Sequence, residues 1–189
     1  MTRIIAGRAG GRVLSVPASA TRPTSDRVRE ALFSSVASRV ALDGARVLDL
    51  YAGTGAVGLE ALSRGAGHVL LVESDPATCA LLARNVDTLA LPGAQVRCAS
   101  VRSVLQAGDA GSAAGFDLVF LDPPYRTADT VVDEDLRTLV ERGWLAEESV
   151  VVVERGSRSE AVTWPIGLAG DRIRRYGDTT LYFGRKGGT

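Results

Sequence analysis

The chain has 189 residues, 46% hydrophobic and 23% charged, enough for one globular domain with a substantial core and too few for two. Neither its start, Met1-Thr2-Arg3-Ile4-Ile5, nor any later stretch carries the apolar run of a signal peptide or membrane span, so a cytoplasmic protein is expected. The 22 basic and 22 acidic side chains cancel, but zero net charge does not exclude a polyanionic partner, which responds to local fields.

Residues 1–40 hold seven arginines against Asp26 and Glu30. They read as a basic extension packed on a main domain spanning 41–189. Up to Pro17 the extension is extended or hairpin-like, punctuated by Gly7, Gly10 and Gly11. A helix is expected from about Thr24 and Ser25, with Val28, Ala31, Leu32 and Val36 facing inward. Residues 46–50 form the first buried-strand candidate and run into Gly53-Thr54-Gly55. A helix follows over 56–64, stopped by Gly65.

Residues 68–73 form a second strand. Asp75 and Pro76 then supply an N-cap and a proline at the first helical position, and Cys79, Leu82, Val86 and Leu89 share one helix face. Cys79 and Cys98 lack CxxC spacing and histidine neighbours, so two separate buried thiols are expected and no metal site. Residues 95–98, 117–121 and 149–154 are further strands, with a helix from about Glu134 to Arg142. Near-continuous apolar strands alternating with helices make a parallel sheet covered on both faces. Residues 172–176 and 179–184, around Gly177-Asp178, read as a hairpin. The fold class is α/β, closing on an antiparallel pair. A second basic cluster lies there: Arg172, Arg174, Arg175, Arg185 and Lys186.

Two motifs carry chemistry. Asp49-Leu-Tyr-Ala-Gly53-Thr-Gly55 sits where the first strand meets the first helix, at the strand end where parallel sheets bind ligands. Glu73 closes the second strand, placed to grip ribose hydroxyls. Gly53 to Gly58 also matches GxGxxG, the dinucleotide fingerprint. The acidic Asp49 before the loop, and the lack of a basic residue for a diphosphate, point instead to S-adenosylmethionine.

Asp122-Pro123-Pro124-Tyr125 follows the fourth strand; by chance such a string occurs in about one chain in a thousand of this length. Two prolines stiffen the turn and remove two amide donors. Asp122 and nearby carbonyls are then free to accept hydrogen bonds from an amino group, while Tyr125 offers a flat face to a base. An exocyclic amine is a poor nucleophile because its lone pair is delocalised; accepting its protons and fixing its aim answers both problems. Asp122, Pro123, Pro124 and Tyr125 are the catalytic candidates. His68, Phe33, Trp144 and Trp164 read as structural, and Glu60 as a helix-surface residue.

On these residues, and on Arg3-Ile-Ile-Ala-Gly7, Arg22-Pro-Thr-Ser-Asp-Arg27-Val-Arg29-Glu30, Gly58-Leu-Glu-Ala-Leu-Ser-Arg-Gly65 and Tyr176-Gly-Asp-Thr179, the chain resembles the RsmD-type 16S rRNA guanine-N2 methyltransferases along essentially its whole length. The resemblance implies a Rossmann-like class I methyltransferase fold with a seven-stranded, mostly parallel sheet. It implies methyl transfer from S-adenosylmethionine to the N2 of a guanine, guanine 966 of the small-subunit rRNA, on assembled or assembling 30S subunits. Cofactor contacts are then expected at Asp49, Tyr51, Gly53, Thr54, Gly55, Glu73 and Ser74. Ser100 stands where such enzymes often place an acid near the adenine. Arg8, Arg12, Arg22, Arg27 and Arg29 are expected to bind rRNA phosphates, with no membrane contact and no stable protein partner outside the ribosome. Rival readings are a DNA adenine or cytosine amino-methyltransferase, a protein-glutamine methyltransferase, an NAD-dependent oxidoreductase, and a non-catalytic RNA-binding factor.

Overall fold

Val47-Leu48, Val69-Leu70-Leu71-Val72 and Leu118-Val119-Phe120-Leu121 are buried at every position, which demands a sheet covered on both faces. A computed structural model describes residues 2–17, 26–108, 114–157 and 159–187, and it supplies that sheet. In chain order the elements are β1 (Thr2–Arg3), β2 (Val13–Leu14), α1 (Asp26–Ala37), β3 (Arg46–Leu50), α2 (Ala56–Ser63), β4 (His68–Glu73), α3 (Pro76–Leu89), β5 (Ala94–Cys98), α4 (Val101–Ala107), β6 (Phe116–Leu121), α5 (Asp129–Glu141), β7 (Leu145–Gly156), β8 (Leu168–Tyr176) and β9 (Thr179–Lys186).

The seven strands of the main sheet run β5-β4-β3-β6-β7-β9-β8. β3 to β7 are parallel, while β9 pairs antiparallel with both β7 and β8. The α/β architecture with a closing antiparallel hairpin therefore stands as expected. The chain steps outward from β3 to β5, then returns to the other side of β3 with β6. That reversal opens a crevice between β3 and β6 at their carboxyl ends.

Helices fill the two faces separately. Val28, Leu32, Phe33 and Val36 of α1, Leu59 and Leu62 of α2, and Leu82 and Leu89 of α3 pack on one side with Val47, Val69, Phe120 and Val152. Val104 and Leu105 of α4 and Val132, Leu136 and Leu139 of α5 pack on the other with Leu48, Leu50, Val119 and Val151. Phe33 and Trp144 are core residues, and the Trp144 indole donates to the Leu105 carbonyl at 3.0 Å.

Several expectations are corrected. α4 was not anticipated, and α5 begins at Asp129, not near Glu134. In α1 Phe33 is buried and Ala31 is only half-buried, and in α3 Asn85 takes the inward place expected of Val86. The expected start of α1 at Thr24 and Ser25 lies outside the described residues. Cys79 and Cys98 are joined in a disulfide, with Cα atoms 5.8 Å apart. β5 pairs with β4 so that Cys98 stands opposite Glu73, and α3 leaves the end of β4 bringing Cys79 back over that register.

Glu60, expected at the surface, is fully buried. Its carboxylate accepts the backbone N–H of Ile5 at 2.7 Å and of Ala6 at 3.0 Å, and the Arg64 guanidinium at 2.7 Å. The Ser63 hydroxyl donates to the Ala6 carbonyl at 2.5 Å and accepts the Ala9 N–H at 2.9 Å. A chain folded over α2 from some fifty-five residues upstream converts what periodicity marks as an outer face into an inner one. Arg29 is equally buried, with its guanidinium 3.9 Å from Glu60 and hydrogen-bonded to the Asp26 carboxylate and the Arg3 carbonyl.

Replacing Glu60 by Ala removes the acceptor for two arm amides and strands Arg29 in the interior. A loss of about 3–5 kcal/mol is expected, read by urea unfolding together with faster tryptic cleavage at Arg8 and Arg12. An unchanged midpoint would refute the anchoring role.

Candidate active-site cleft

The turn after β3 is tight and its backbone unusual. Gly53 and Gly55 have φ of 54° and 80°, and Tyr51 takes φ 62°, which is costly for a residue with a Cβ. Tyr51 is held there by its hydroxyl, which donates to the Asp135 carboxylate on α5 at 2.5 Å. Burial, then Asp135 itself, pushes the Tyr51 hydroxyl above its ordinary pKa, keeping it a proton donor.

Asp49 is the last inward carboxylate of β3 and is 2% exposed. Its Oδ2 accepts the Gly58 N–H at 2.8 Å. A Cβ at Gly58 would lie 2.6 Å from Leu71 and 3.1 Å from that oxygen, so only glycine lets α2 approach so closely. Burial, and then the neighbouring Asp122 and Glu73, raise the Asp49 pKa to about 7 against the opposing Gly58 hydrogen bond. Three carboxylates therefore bear on one point, a field that favours a cation.

Glu73 fastens the turn from the side. Its Oε2 accepts the Gly53 N–H at 3.0 Å, and its Oε1 accepts those of Ser74 at 2.7 Å and Asp75 at 2.9 Å. Ser74 is exposed beside it. Thr54 gives its carbonyl to the Asn85 amide at 3.0 Å. The same amide group clamps Ser15, donating to its carbonyl at 3.0 Å while its oxygen accepts the Ser15 N–H at 2.8 Å. Asn85 thus ties the glycine turn to the N-terminal arm. Ser100 is exposed at the head of α4, its hydroxyl accepting the Ser103 N–H at 3.2 Å as an N-cap.

On the neighbouring strand the Asp122 N–H donates to the Leu50 carbonyl at 3.4 Å, extending the β3–β6 pairing by one step. The glycine turn and the proline turn therefore leave adjacent strands at the same edge. Asp122 is half-buried and Pro123 buried, whereas Pro124 and Tyr125 face solvent, Tyr125 at 71% exposure. Tyr125 has room on its open side for a planar ligand. Its other side rests on Gly156, where a Cβ would sit 3.1 Å from the ring. The Thr127 N–H donates to the Pro124 carbonyl at 2.8 Å, and the buried Arg155 donates to the Thr127 carbonyl at 3.2 Å and to the Asp129 carboxylate.

Asn85, Asp135, Arg155 and Gly156 were not foreseen as supports of the site. Asn85 carried a signal, a polar residue three positions after Leu82 and four before Leu89 on the inward face; Arg155 and Gly156 carried none. Among the expected phosphate-binding arginines, Arg8 and Arg12 are exposed, yet each donates to main-chain carbonyls, Leu62 for Arg8 and Thr88 and Leu89 for Arg12. Arg27 is exposed on α1. Arg29 is withdrawn from this set, because its guanidinium is sealed against Glu60 and Asp26 and reaches no ligand. Arg22 lies outside the described residues.

Comparison with known proteins bears on what this cleft serves. The family model described as conserved hypothetical protein 95 matches residues 2–185. Ribosomal RNA small subunit methyltransferase D of Escherichia coli K12 is 43% identical over 153 residues, covering 80% of this chain and 73% of that protein. The Haemophilus influenzae protein of the same name is 34% identical over 162 residues, covering 85% and 82%. The solved structure of Escherichia coli YhhF superposes with a TM-score of 0.86 at 34% identity, covering 100% of this chain and 99% of that one.

If Arg155 fixes the proline turn through Thr127, Arg155→Ala should speed hydrogen exchange at the Thr127 amide and its neighbours. Loss of a charge-assisted hydrogen bond, worth about 1.5–3 kcal/mol, predicts roughly ten- to hundredfold faster local opening, with the Gly53 amide unaffected. Equal protection at Thr127 in both proteins would exclude that role.

Proposed function

This chain belongs to the conserved hypothetical protein 95 family, the RsmD-type rRNA methyltransferases, and on that premise we propose that it transfers a methyl group from S-adenosylmethionine to the exocyclic N2 of a guanine in small-subunit rRNA. The observation that carries the reading is the hydrogen bond between Asp122 and Leu50, which sets the glycine turn and the Asp122-Pro-Pro-Tyr125 turn side by side. The acceptor is the 16S rRNA of assembled or assembling 30S subunits, at guanine 966 on the family analogy, which makes the cytoplasm its place of work.

The residues present fit this cofactor. A Cβ at Gly53 would meet nothing within 4 Å, so the turn leaves open space above its backbone. Asp49, buried and bonded to the chain through one oxygen, suits a cationic amino group. Glu73, already aligned by three amides, suits the paired hydroxyls of a ribose, with Tyr51, Thr54, Gly55 and Ser74 around them. Ser100, whose hydroxyl already caps α4, would stand on the adenine side.

S-adenosylmethionine supplies an electrophilic methyl carbon. Asp122 and the carbonyls of the proline turn accept N–H bonds from the guanine amine, drawing its lone pair out of conjugation and aiming it. Pro123 and Pro124 keep that acceptor set rigid and bring no competing donors. Tyr125 stacks on the extruded base, and Gly156 supports the ring from behind. As the amine gains the methyl group it becomes positively charged, and the Asp122 carboxylate stabilises that charge and accepts the proton the amine then loses.

The direct test is incubation with labelled methyl donor and under-methylated small subunits, followed by mapping of the modified base. Asp122→Ala should lower methyl transfer by about 10²–10³-fold while calorimetry still detects the cofactor. Wild-type rates in that variant would remove Asp122 from the chemistry.

Asp49 adds a pH signature. A cation binds its ionised form, so binding lowers its pKa and releases protons when the free protein is below about 7. Cofactor affinity should therefore climb roughly tenfold from about pH 5.5 to 7 and level off by about pH 8, and Asp49→Asn should flatten the curve. Calorimetry in buffers of different ionisation heat reads the proton directly; no release at pH 6 would contradict this.

A further inference from the structure

β8 is the outermost strand of the main sheet, and every residue from Ala169 to Arg175 is exposed. Its backbone edge is unpaired and both its faces meet solvent, a surface that normally invites association. Three of its four residues from 172 to 175 are arginines, and the fourth, Ile173, is 51% exposed. Arg172 and Arg174 stand opposite Phe183 and Leu181, which belong to the face covered by α1. Arg175 and Ile173 point to the other face, the latter beside Tyr182. The strand therefore offers guanidinium groups from both sides of one edge.

Surrounding cations are neutralised. Arg39 pairs with Asp171 at 2.7 Å, using the only acid on β8. Arg155 pairs with Asp129, Arg185 with Glu148 and Lys186 with Glu147. Arg172, Arg174 and Arg175 have no ion pair among the described residues. Charged side chains blunt an edge strand, and three arginines without an ion pair among the described residues also concentrate positive charge along it.

Their position gives them a purpose. Arg175 pairs with Thr180, which pairs with Arg155 on β7; one step on, Tyr176, Thr179 and Gly156 form the next row. Gly156 carries the Tyr125 ring. With neighbouring strands about 4.8 Å apart, the Arg175 backbone lies roughly 10 Å from that of Arg155. The arginines thus begin beside the base-stacking tyrosine and continue away from it down the open edge.

We propose that the edge of β8, through Arg172, Arg174 and Arg175, is the docking strip for rRNA phosphates flanking the target nucleotide. The inference rests on the reading of the cleft as an rRNA methyltransferase site, and it adds where the polynucleotide runs. Arginine suits the task because its planar fork meets phosphate oxygens two at a time.

The test uses the full chain and under-methylated small subunits, with binding measured over a series of salt concentrations. Changing Arg172, Arg174 and Arg175 together to Ser should lower the slope of log K against log salt by about 2, since each phosphate contact contributes about 0.7–0.9. The affinity at low salt should fall at least tenfold. The triple Arg→Lys protein, which keeps the charge, should retain most of the slope. Identical slopes in wild type and the Ser protein overturn the proposal, as does a Lys protein as weak as the Ser one. Methyl incorporation into the same particles is followed in parallel: its absence in wild type defeats the active-site reading, while the slopes still decide the strip.

Discussion

The pairing of β3 with β6 is the constraint from which the rest of the cleft follows. Because the chain reverses its direction of travel across the sheet at this pair, no helix can close the gap above their carboxyl ends. Asp49 stands beside Phe120 and Leu50 beside Leu121, so Asp122, two residues beyond Phe120, comes onto the same face next to Asp49. Two acids so disposed repel, and burial makes Asp49 harder still to ionise. The fold tolerates this through the Gly58 N–H, and the gathered carboxylates leave a field that favours positive charge at this edge.

The N-terminal arm is part of the same construction. Glu60 gathers two arm amides and two arginines around a fully buried carboxylate. Asn85, with all three of its available groups in use, ties Ser15 to Thr54 in the glycine turn. The arm and the glycine turn therefore share a hydrogen-bonding residue, and a displacement of one is felt by the other without an intervening rigid body. The carboxylate and the amide hold the extension where α2 and α3 meet the glycine turn.

What could be read from the chain, and what could not, divides along physical lines. The buried strands were legible because a sheet covered on both sides leaves unbroken apolar runs such as Val150-Val151-Val152-Val153, and the turns at 53–55 and 122–125 were legible because glycine and proline restrict backbone conformation locally. Glu60 was misread because its partners come from far upstream, and helical periodicity carries no information about a distant segment. The disulfide escaped for a similar reason, since Cys79 and Cys98 meet only through the β4–β5 register. α4 was overlooked although Ser100 and Ser103 spell an N-cap, because Ser100 was assigned to a ligand and not to its own helix. Arg155 and Gly156 sit at the end of an apolar strand, and nothing local marks them as supports for Tyr125.

Arginine shows most clearly why composition stops short of function here. The chain has 22 basic residues, and Lys186 is its one lysine; by sequence alone each arginine is the same polyanion-seeking group. The structure sorts them by what already satisfies them. Arg29 has lost its solvent, and its pKa is lowered by burial against the pull of Asp26 and Glu60; it is an internal strut whose charge is consumed by neighbours. Arg155 is nearly as buried, and its donors go to Thr127 and Asp129. Arg8 and Arg12 keep their exposure but give donors to carbonyls, so they fasten the chain first and attract phosphate second. The arginines of β8 are exposed and have no ion pair among the described residues, and their field is projected outward. A guanidinium is available to a partner only to the extent that the fold has left it unanswered, and that quantity belongs to the folded chain alone.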